Sequence, residues 1–265
     1  LELEKLLQNL RRSILSNISS LEEASVELLR FQSALALQCF TNEYIYNQSE
    51  HEREALAALE AVVKQTLSNG DQPSPQSILC LASYRPLNEY EWCSTLLFTD
   101  GIEEVLTRQA LEPNQEERLK RDLPILEEIT DSISSEVRAQ YEESPYPRWV
   151  NLGLTIKPFS IPEVVDRINL RLHSSKITEV EKPEILIAGC GTGQHSIGTA
   201  ARFKGSKVLA IDLSLSSLAY AKRKTEELDI ENIEYMQADI LDLNKLNKQF
   251  DIIESAGVLH HMDDP

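Results

Sequence analysis

The chain has 265 residues, enough for one large or two ordinary domains. It carries 26 Lys and Arg against 43 Asp and Glu, a net charge of −17 with His neutral. A basic face is what nucleic acids and anionic membranes need for binding, so this charge disfavours both as partners. Its 42 % apolar and 26 % charged residues are close to the averages of globular proteins, which argues against a disordered chain.

The cysteines indicate neither a metal site nor a disulfide framework. They stand at positions 39, 80, 93 and 190, with no CxxC pair and no His-rich segment. Free thiols favour a reducing compartment, so we predict a cytoplasmic protein. No apolar run approaches the roughly 20 residues that span a bilayer, and we expect no membrane association.

Residues 1–140 predict an all-α domain. Apolar residues recur at spacings of three and four, and Ser, Asn, Gly and Pro punctuate the segments. No 34-residue repeat is found in this region. The predicted helices lie near residues 1–17, 21–46, 50–68, 75–83, 88–98, 101–111 and 118–142.

Residues 141–183 predict a linker with one helix near 161–172. It opens with Tyr141-Glu-Glu-Ser-Pro-Tyr-Pro-Arg-Trp149, where two prolines among three aromatic residues favour a fixed, extended segment. Two interpretations stay open. In one, the segment is a lid, with Tyr141 or Tyr146 and Arg148 facing a cleft; in the other, it is a clasp between two domains, with Trp149 in the core.

Residues 184–265 alternate between strand and helix patterns, which predicts a doubly wound parallel sheet. We expect strands near 184–189, 207–212, 232–236 and 250–255, and helices near 193–203, 214–228 and 241–247. The chain starts without Met and stops directly after a strand-like run, so we expect a fragment in which this α/β fold is truncated at its C-terminus. Such a fragment would expose the edge of the fourth strand and tend to aggregate.

The strongest motif is Glu184-Ile-Leu-Ile-Ala-Gly-Cys-Gly-Thr-Gly193, a buried strand that enters three alternating glycines and then a helix. Glycines permit tight turns and a close approach to a ligand, and a helix start presents unpaired N–H groups. Dinucleotide-binding loops place their last Gly or Ala one position later, at Gln194 in this chain. The spacing therefore disfavours an NAD-dependent oxidoreductase.

Two acidic residues follow later strands. Asp212 ends the second strand, where a carboxylate suits the two hydroxyls of a ribose. Asp239 follows the third strand and suits an exocyclic adenine amine, with Met236 or Ile240 covering the ring.

In this order and spacing the motifs resemble the class I S-adenosylmethionine-dependent methyltransferases, over about residues 184–265. The resemblance implies S-adenosylmethionine as cofactor and a Rossmann-like cleft at the carboxyl ends of the strands. One departure stands out: the family places Asp or Glu two residues before the first glycine, where this chain has Ile187. The usual acidic link to the amino group of the cofactor is therefore missing or supplied elsewhere. The cofactor-binding residues that we expect are Gly189, Cys190, Gly191, Gly193, Asp212, Leu213, Ala238, Asp239, Ile240, Tyr146 and Arg148.

A second resemblance concerns the helical region. Segments 33–46, 81–87 and 140–149 are similar to the region that precedes the catalytic domain in bacterial methyltransferases with tetratricopeptide repeats. This similarity supports the architecture rather than a particular substrate.

Methyl transfer from a sulfonium needs mainly positioning, with a base if the acceptor carries a proton. His260 and His261 follow the fourth strand, where α/β sheets place their sites, and are the candidate bases. Glu254 is a further candidate near the methionine end. We expect His195 to pack or to face solvent.

The prediction is thus methyl transfer to an unidentified small molecule or protein, with a protein partner for the helical domain as a further option. The alternative is a nucleoside-binding module without chemistry, in which the helices act as an interaction scaffold. The residue at position 187 favours the alternative, whereas the glycines, Asp212, Asp239 and the His pair favour the enzyme.

Overall fold

The computed structural model describes residues 2–20, 24–155 and 157–261, except for the side chains of Ser20 and His261. The chain divides into two compact units, Leu1–Asn114 and Gln115–Pro265. Composition favours a boundary near residue 140. The second unit begins earlier because Leu119 and Leu123 pack in the core beside its sheet.

The first unit is helical, as the apolar spacing predicts. Side chains of Ser25, Ser49 and Ser74 cap the starts of three helices, and Ser49 forms a full capping box with Glu52. A π-helical stretch, Thr107–Leu111, connects the last two helices. The helices are α1 (Glu2–Asn17), α2 (Val26–Thr41), α3 (Glu50–Ser68), α4 (Pro75–Ala82), α5 (Glu103–Leu106) and α6 (Glu112–Asp122), of which α6 continues into the second unit after Asn114.

Buried polar side chains join these helices. Arg11, only 1 % exposed, lies 4.0 Å from the ring centroid of Tyr84 and donates to the carbonyl of Ser83. The hydroxyl of Tyr84 donates to Glu52 at 3.0 Å. Gln109 is fully buried and donates to two backbone carbonyls from other helices. The partners of these three side chains offset part of the cost of desolvation, whereas Nε of Arg11 and the amide group of Gln32 are buried without a hydrogen bond to a described residue.

The helix predicted near 88–98 is wrong, since two short 3-10 turns lie there instead. The side chain of Gln72 donates to the carbonyl of Thr95 and accepts from the N–H of Leu97. The hydroxyl of Thr95 donates to the carbonyl of Trp92 at 2.7 Å. Side chains therefore satisfy backbone groups that a helix would pair internally.

The second unit contains a four-stranded parallel sheet in the order β3-β2-β1-β4. The observed strands agree with the predicted ones within two residues at each end, which confirms the Rossmann-like α/β class. The strands are β1 (Glu184–Ala188), β2 (Lys207–Asp212), β3 (Ile233–Gln237) and β4 (Ile252–Glu254). The helices are α7 (Ser132–Glu143), α8 (Ile161–Arg167), α9 (Gln194–Arg202) and α10 (Leu215–Glu227).

Both faces of β1 are covered. Ile185 and Ile187 of β1 pack in a core with residues of α9 and α10, and Leu186 and Ala188 pack in a second core on the opposite face. The segment expected to be a helix near 241–247 is a 3-10 helix, Ile240–Leu246. Burial on both faces explains why the sequence of β1 is one continuous apolar run after Glu184.

The single helix predicted over 118–142 is also wrong, because the chain leaves helical geometry between α6 and α7. The N–H of Leu126 donates to the carbonyl of Gln237, and the N–H of Gln237 donates to the carbonyl of Pro124, both at 2.9 Å. Pro124 disfavours a helix at this place. The segment instead pairs with β3 and covers that edge of the sheet.

Within the described ranges, no helix is long and apolar enough to cross a membrane.

Candidate functional site

The loop between β1 and α9, residues 189–193, is called the glycine loop. All three of its glycines have positive φ angles, from 52° to 86°. A Cβ on Gly189 would stand 2.3 Å from Val258, and one on Gly193 would stand 2.6 Å from the Cβ of Ala221. Glycine is thus required for close packing against the segment after β4 and against α10.

Asp212, the last residue of β2, holds the glycine loop. Its carboxylate accepts hydrogen bonds from the N–H groups of Gly191 at 2.7 Å and of Ser214 at 3.0 Å. Burial raises the pKa of Asp212, and these backbone donors oppose the rise. The side chain nevertheless reaches the surface of the cavity described next.

A cavity of about 500 Å³ lies within the second unit, at the carboxyl ends of β1, β2 and β3. The glycine loop, the first turn of α9 and residues 256–258 form one side of it. Leu213 and Ala238–Leu241 form another side. Asp239 caps the 3-10 helix that follows β3, since its carboxylate accepts from the N–H of Leu241 at 3.0 Å.

Acidic side chains line the cavity. Asp131, Asp212 and Asp239 line it, together with His195. No Lys or Arg stands among its described lining residues. Such a cavity favours a ligand that carries positive charge and disfavours one with phosphate groups.

Helix α7 covers the remaining side of the cavity. Ile133, Val137 and Tyr141, spaced four residues apart on one face of the helix, line it. Glu142 attaches this helix to the start of α10, where its carboxylate accepts from the hydroxyls of Ser214 and Ser216 and from the N–H of Ser216.

The segment after α7 combines features of the lid and of the clasp. Tyr146 and Pro147 line the cavity, and the carbonyl of Pro147 accepts from the hydroxyl of Thr192 at 2.7 Å. Trp149 is buried, and its indole N–H donates to the carbonyl of Thr192 at 3.0 Å. Tyr146 therefore has the place expected of a lid, and Trp149 is a core residue of the same unit.

Arg148 is not among the described residues that line the cavity, although the lid interpretation expects it to face the cleft. Its guanidinium lies 3.8 Å from Glu116 and 5.9 Å from the ring centroid of Tyr220. Glu116 is almost fully buried and also accepts from Arg223 at 2.8 Å. The buried carboxylate draws Arg148 toward α6, which is the physical reason for the difference.

His195, which lines the cavity, pairs with Glu254, which is not among the described residues that line it. The Nε2 atom of His195 lies 2.9 Å from a carboxylate oxygen of Glu254, and the same oxygen accepts from the hydroxyl of Thr199 at 2.7 Å. Burial raises the pKa of Glu254, but the hydrogen bonds from His195 and Thr199 outweigh it and leave the pKa below its usual value. Glu254 is therefore ionised at neutral pH.

Residues 185–265 match a family described as a methyltransferase domain. This part of the chain is a class I methyltransferase domain. The match confirms the family that the sequence resembles, and S-adenosylmethionine is the cofactor that this family uses. The resemblance of the preceding helical region stays a prediction.

Similar proteins include enzymes named as methyltransferases. The chain is 30 % identical over 134 residues to the ubiquinone biosynthesis O-methyltransferase of Coxiella burnetii, covering 51 % of this chain and 54 % of that protein. It is 29 % identical over 151 residues to an uncharacterized protein of Synechococcus sp., covering 52 % and 33 %. The chain thus spans between a third and about half of the length of these relatives.

Among solved structures, magnesium protoporphyrin IX methyltransferase of Synechocystis PCC 6803 with bound SAM shares 20 % identity. The similarity covers 51 % of this chain and 67 % of that one, with a TM-score of 0.35. A similarity of this size carries no argument about function.

The methyltransferase domain brings most of the predicted cofactor residues to one cavity. Nine of them line it: Gly189, Cys190, Gly191, Asp212, Leu213, Ala238, Asp239, Ile240 and Tyr146. Gly193 packs on α10 beneath the loop. Burial raises the pKa of the Cys190 thiol well above its usual value, which disfavours a reactive thiolate.

The structure describes the side chain of one of the two predicted bases, His260. His260 is exposed and is not among the described residues that line the cavity, although Val258, two residues earlier, lines it. The side chain of His261 lies outside the described part of the structure. The catalytic role of both residues stays a prediction.

Sequence reasoning missed two contributors to this cavity. His195 was expected to pack or face solvent, yet it lines the cavity and pairs with Glu254 across 59 positions of sequence. The second contributor is the face of α7 that lines the cavity, which the sequence analysis included in one long helix over 118–142. The spacing of Ile133, Val137 and Tyr141 was the available signal, but it does not tell what the helix covers.

Proposed function

We propose that this chain binds S-adenosylmethionine in the cavity of its methyltransferase domain and that the protein transfers the methyl group to an acceptor. The acidic lining, with no Lys or Arg among the lining residues that the structure describes, carries the proposal. S-adenosylmethionine has a positively charged sulfonium and an ammonium group, which acidic side chains attract. A dinucleotide brings a pyrophosphate, which three nearby carboxylates repel. The charge of the cavity and the spacing of the glycines therefore both disfavour NAD as the ligand.

Several side chains suit the parts of this cofactor. Asp212 is proposed to accept from the ribose hydroxyls and Asp239 from the adenine amine. Each carboxylate already accepts backbone N–H groups, but a carboxylate offers about four acceptor positions and retains capacity for a ligand. Leu213, Ile240 and Tyr146 supply apolar surface around the bound molecule.

The chemistry that these residues support is an in-line displacement. A lone pair of the acceptor forms a bond to the methyl carbon while the carbon–sulfur bond breaks, and its electron pair stays on sulfur as a neutral thioether. The protein contributes positioning, and a base only where the acceptor must lose a proton. His260 and His261 remain the proposed bases.

The remaining parts of the proposal concern the whole protein. The helical unit is proposed to recruit or shape the acceptor, a small molecule or a protein, and a protein partner for it belongs to the same hypothesis. A cytoplasmic location is proposed because the four cysteines are free and three of them are buried.

Calorimetric titration of the full-length protein tests the cofactor. We expect binding of S-adenosylmethionine and S-adenosylhomocysteine but not of NADH. Asp212→Ala should weaken both ligands by about tenfold to a hundredfold, because it removes a charged acceptor. Asp166→Ala, at an exposed position on α8, is the matched control and should change neither affinity. Wild-type protein that binds NADH and neither sulfur ligand would overturn the proposal.

A further inference from the structure

The register of the sheet places the carboxylate of Glu254 next to Ile187, the position at which the usual acid of the family is missing. In the pairing of β1 with β4, Ile187 stands opposite Glu254. Neighbouring strands are about 4.8 Å apart, and paired residues of parallel strands project to the same face. Ile187 packs toward α9 and α10, and Glu254 bonds to side chains of α9. An acid on β4 therefore occupies the neighbourhood that β1 leaves apolar.

Glu254 is held in a defined orientation. One carboxylate oxygen, Oε2, accepts from both Thr199 and His195. The other, Oε1, has no hydrogen-bond partner among the described residues. Because Glu254 is ionised at neutral pH, this oxygen is available to a positively charged donor.

His195 extends the pair to the cavity wall. An ionised carboxylate only accepts hydrogen bonds, so the Nε2 atom of His195 carries the proton that faces Glu254. In the neutral ring, Nδ1 then holds a lone pair and accepts. The ring stands on the first turn of α9, directly after the glycine loop, and lines the cavity. The acids that line the cavity stand elsewhere, since Asp131 caps the start of α7, Asp212 ends β2 and Asp239 follows β3.

We propose that Glu254 and His195 bind the α-ammonium group of S-adenosylmethionine, in place of an acid at position 187. This assignment rests on the function proposed above. The ammonium offers three N–H donors, and the pair offers Oε1 of Glu254 and Nδ1 of His195 as acceptors. Thr199 is a positioning residue, because its hydroxyl donates to the carboxylate of Glu254 and orients it from α9.

The test compares two ligands that differ in one group. Calorimetric titration of the full-length protein uses S-adenosylhomocysteine and its analogue lacking only the α-amino group. Wild-type protein should bind the analogue about tenfold to a hundredfold more weakly, the usual size of a charge-assisted hydrogen bond. Glu254→Gln and His195→Ala should weaken S-adenosylhomocysteine and leave the analogue within about twofold, so that the difference between the two ligands disappears.

Two further comparisons separate binding from folding. Glu234→Gln, an exposed acid on β3, is the matched control and should keep the wild-type difference. The His195 side chain is 41 % exposed, so His195→Ala should keep the thermal unfolding temperature even if Glu254→Gln lowers it.

Each of the other possible outcomes would contradict either the assignment of Glu254 and His195 or the proposed function. Equal weakening of both ligands would show that Glu254 and His195 only support the fold of α9, and would overturn the assignment alone. Variants that keep the difference but lose turnover would also overturn it and indicate a base instead. Failure of wild-type protein to bind S-adenosylhomocysteine would overturn the proposed function and this assignment with it.

Discussion

Asp212 shows how one side chain shapes the backbone around the cavity. Its carboxylate binds the N–H of Gly191, 21 positions earlier, and that of Ser214 in the following turn. The sequence predicts that Asp212 lies at the end of β2, because the apolar run stops there. It does not predict the partner, since a hydrogen bond between a strand end and a loop depends on how β1 and β2 pair.

The glycines allow a prediction at the same scale. Gly193→Ala should lower the free energy of unfolding by about 2 kcal/mol or more, because φ is +86° and the new Cβ would stand 2.6 Å from Ala221. Gly198→Ala, inside α9 with no atom within 4 Å of its new Cβ, should raise it by about 0.5 to 1 kcal/mol. Chemical denaturation measures both changes. A Gly193→Ala variant as stable as wild type would contradict the packing described here.

At the scale of elements, the Glu142 carboxylate contributes to the attachment of α7 within the second unit, beside bonds from Ser214 and Ser216 to the backbone carbonyls of Tyr141 and Glu142. Glu142 accepts from Ser214 and Ser216, and Lys120 lies 3.5 Å away. Burial raises the pKa of Glu142, but the bonds from these serines and the charge of Lys120 outweigh it, so the pKa lies below 4.5. The ionised carboxylate therefore stabilises the folded protein above pH 4.5, and this contribution is lost as the pH falls through the lowered pKa.

Glu142→Gln tests this attachment. At pH 7 the variant should be less stable by about 1 kcal/mol, a value reduced for the partial exposure of the side chain. The deficit should shrink as the pH falls below 4.5, because wild-type protein then loses the same contribution. Denaturant midpoints between pH 3 and 7 measure it, with Glu143→Gln as the exposed neighbour on the same helix. A deficit that stays constant with pH would refute the role of the charge.

At the scale of the whole molecule, each compact unit has its own core. The first is built around α4, of which six of eight residues are buried, and around the buried Arg11. The second is built on the two faces of the sheet. The cavity lies entirely within the second unit.

Two cores predict two thermal transitions, which respond to different changes. A hundredfold excess of S-adenosylmethionine over its Kd should stabilise only the unit with the cavity, by about 2.7 kcal/mol. Arg11→Ala should destabilise only the helical unit, by about 3 to 5 kcal/mol, because Glu52 would lose a buried positive charge. Scanning calorimetry separates the two. A single transition moved by both changes would contradict this division.

The sequence by itself determined the class of the second unit, its four strands and most residues around its cavity. Those inferences depend on local signals, namely apolar runs, glycine spacing and acids at strand ends, which act over a few neighbouring positions. Only the tertiary structure decided that Glu254 stands beside Ile187, that His195 pairs with it, that residues 124–126 join β3 and that Arg148 lies against Glu116. These contacts join residues between 32 and 113 positions apart, and strand order and register, which the local pattern does not encode, bring them together.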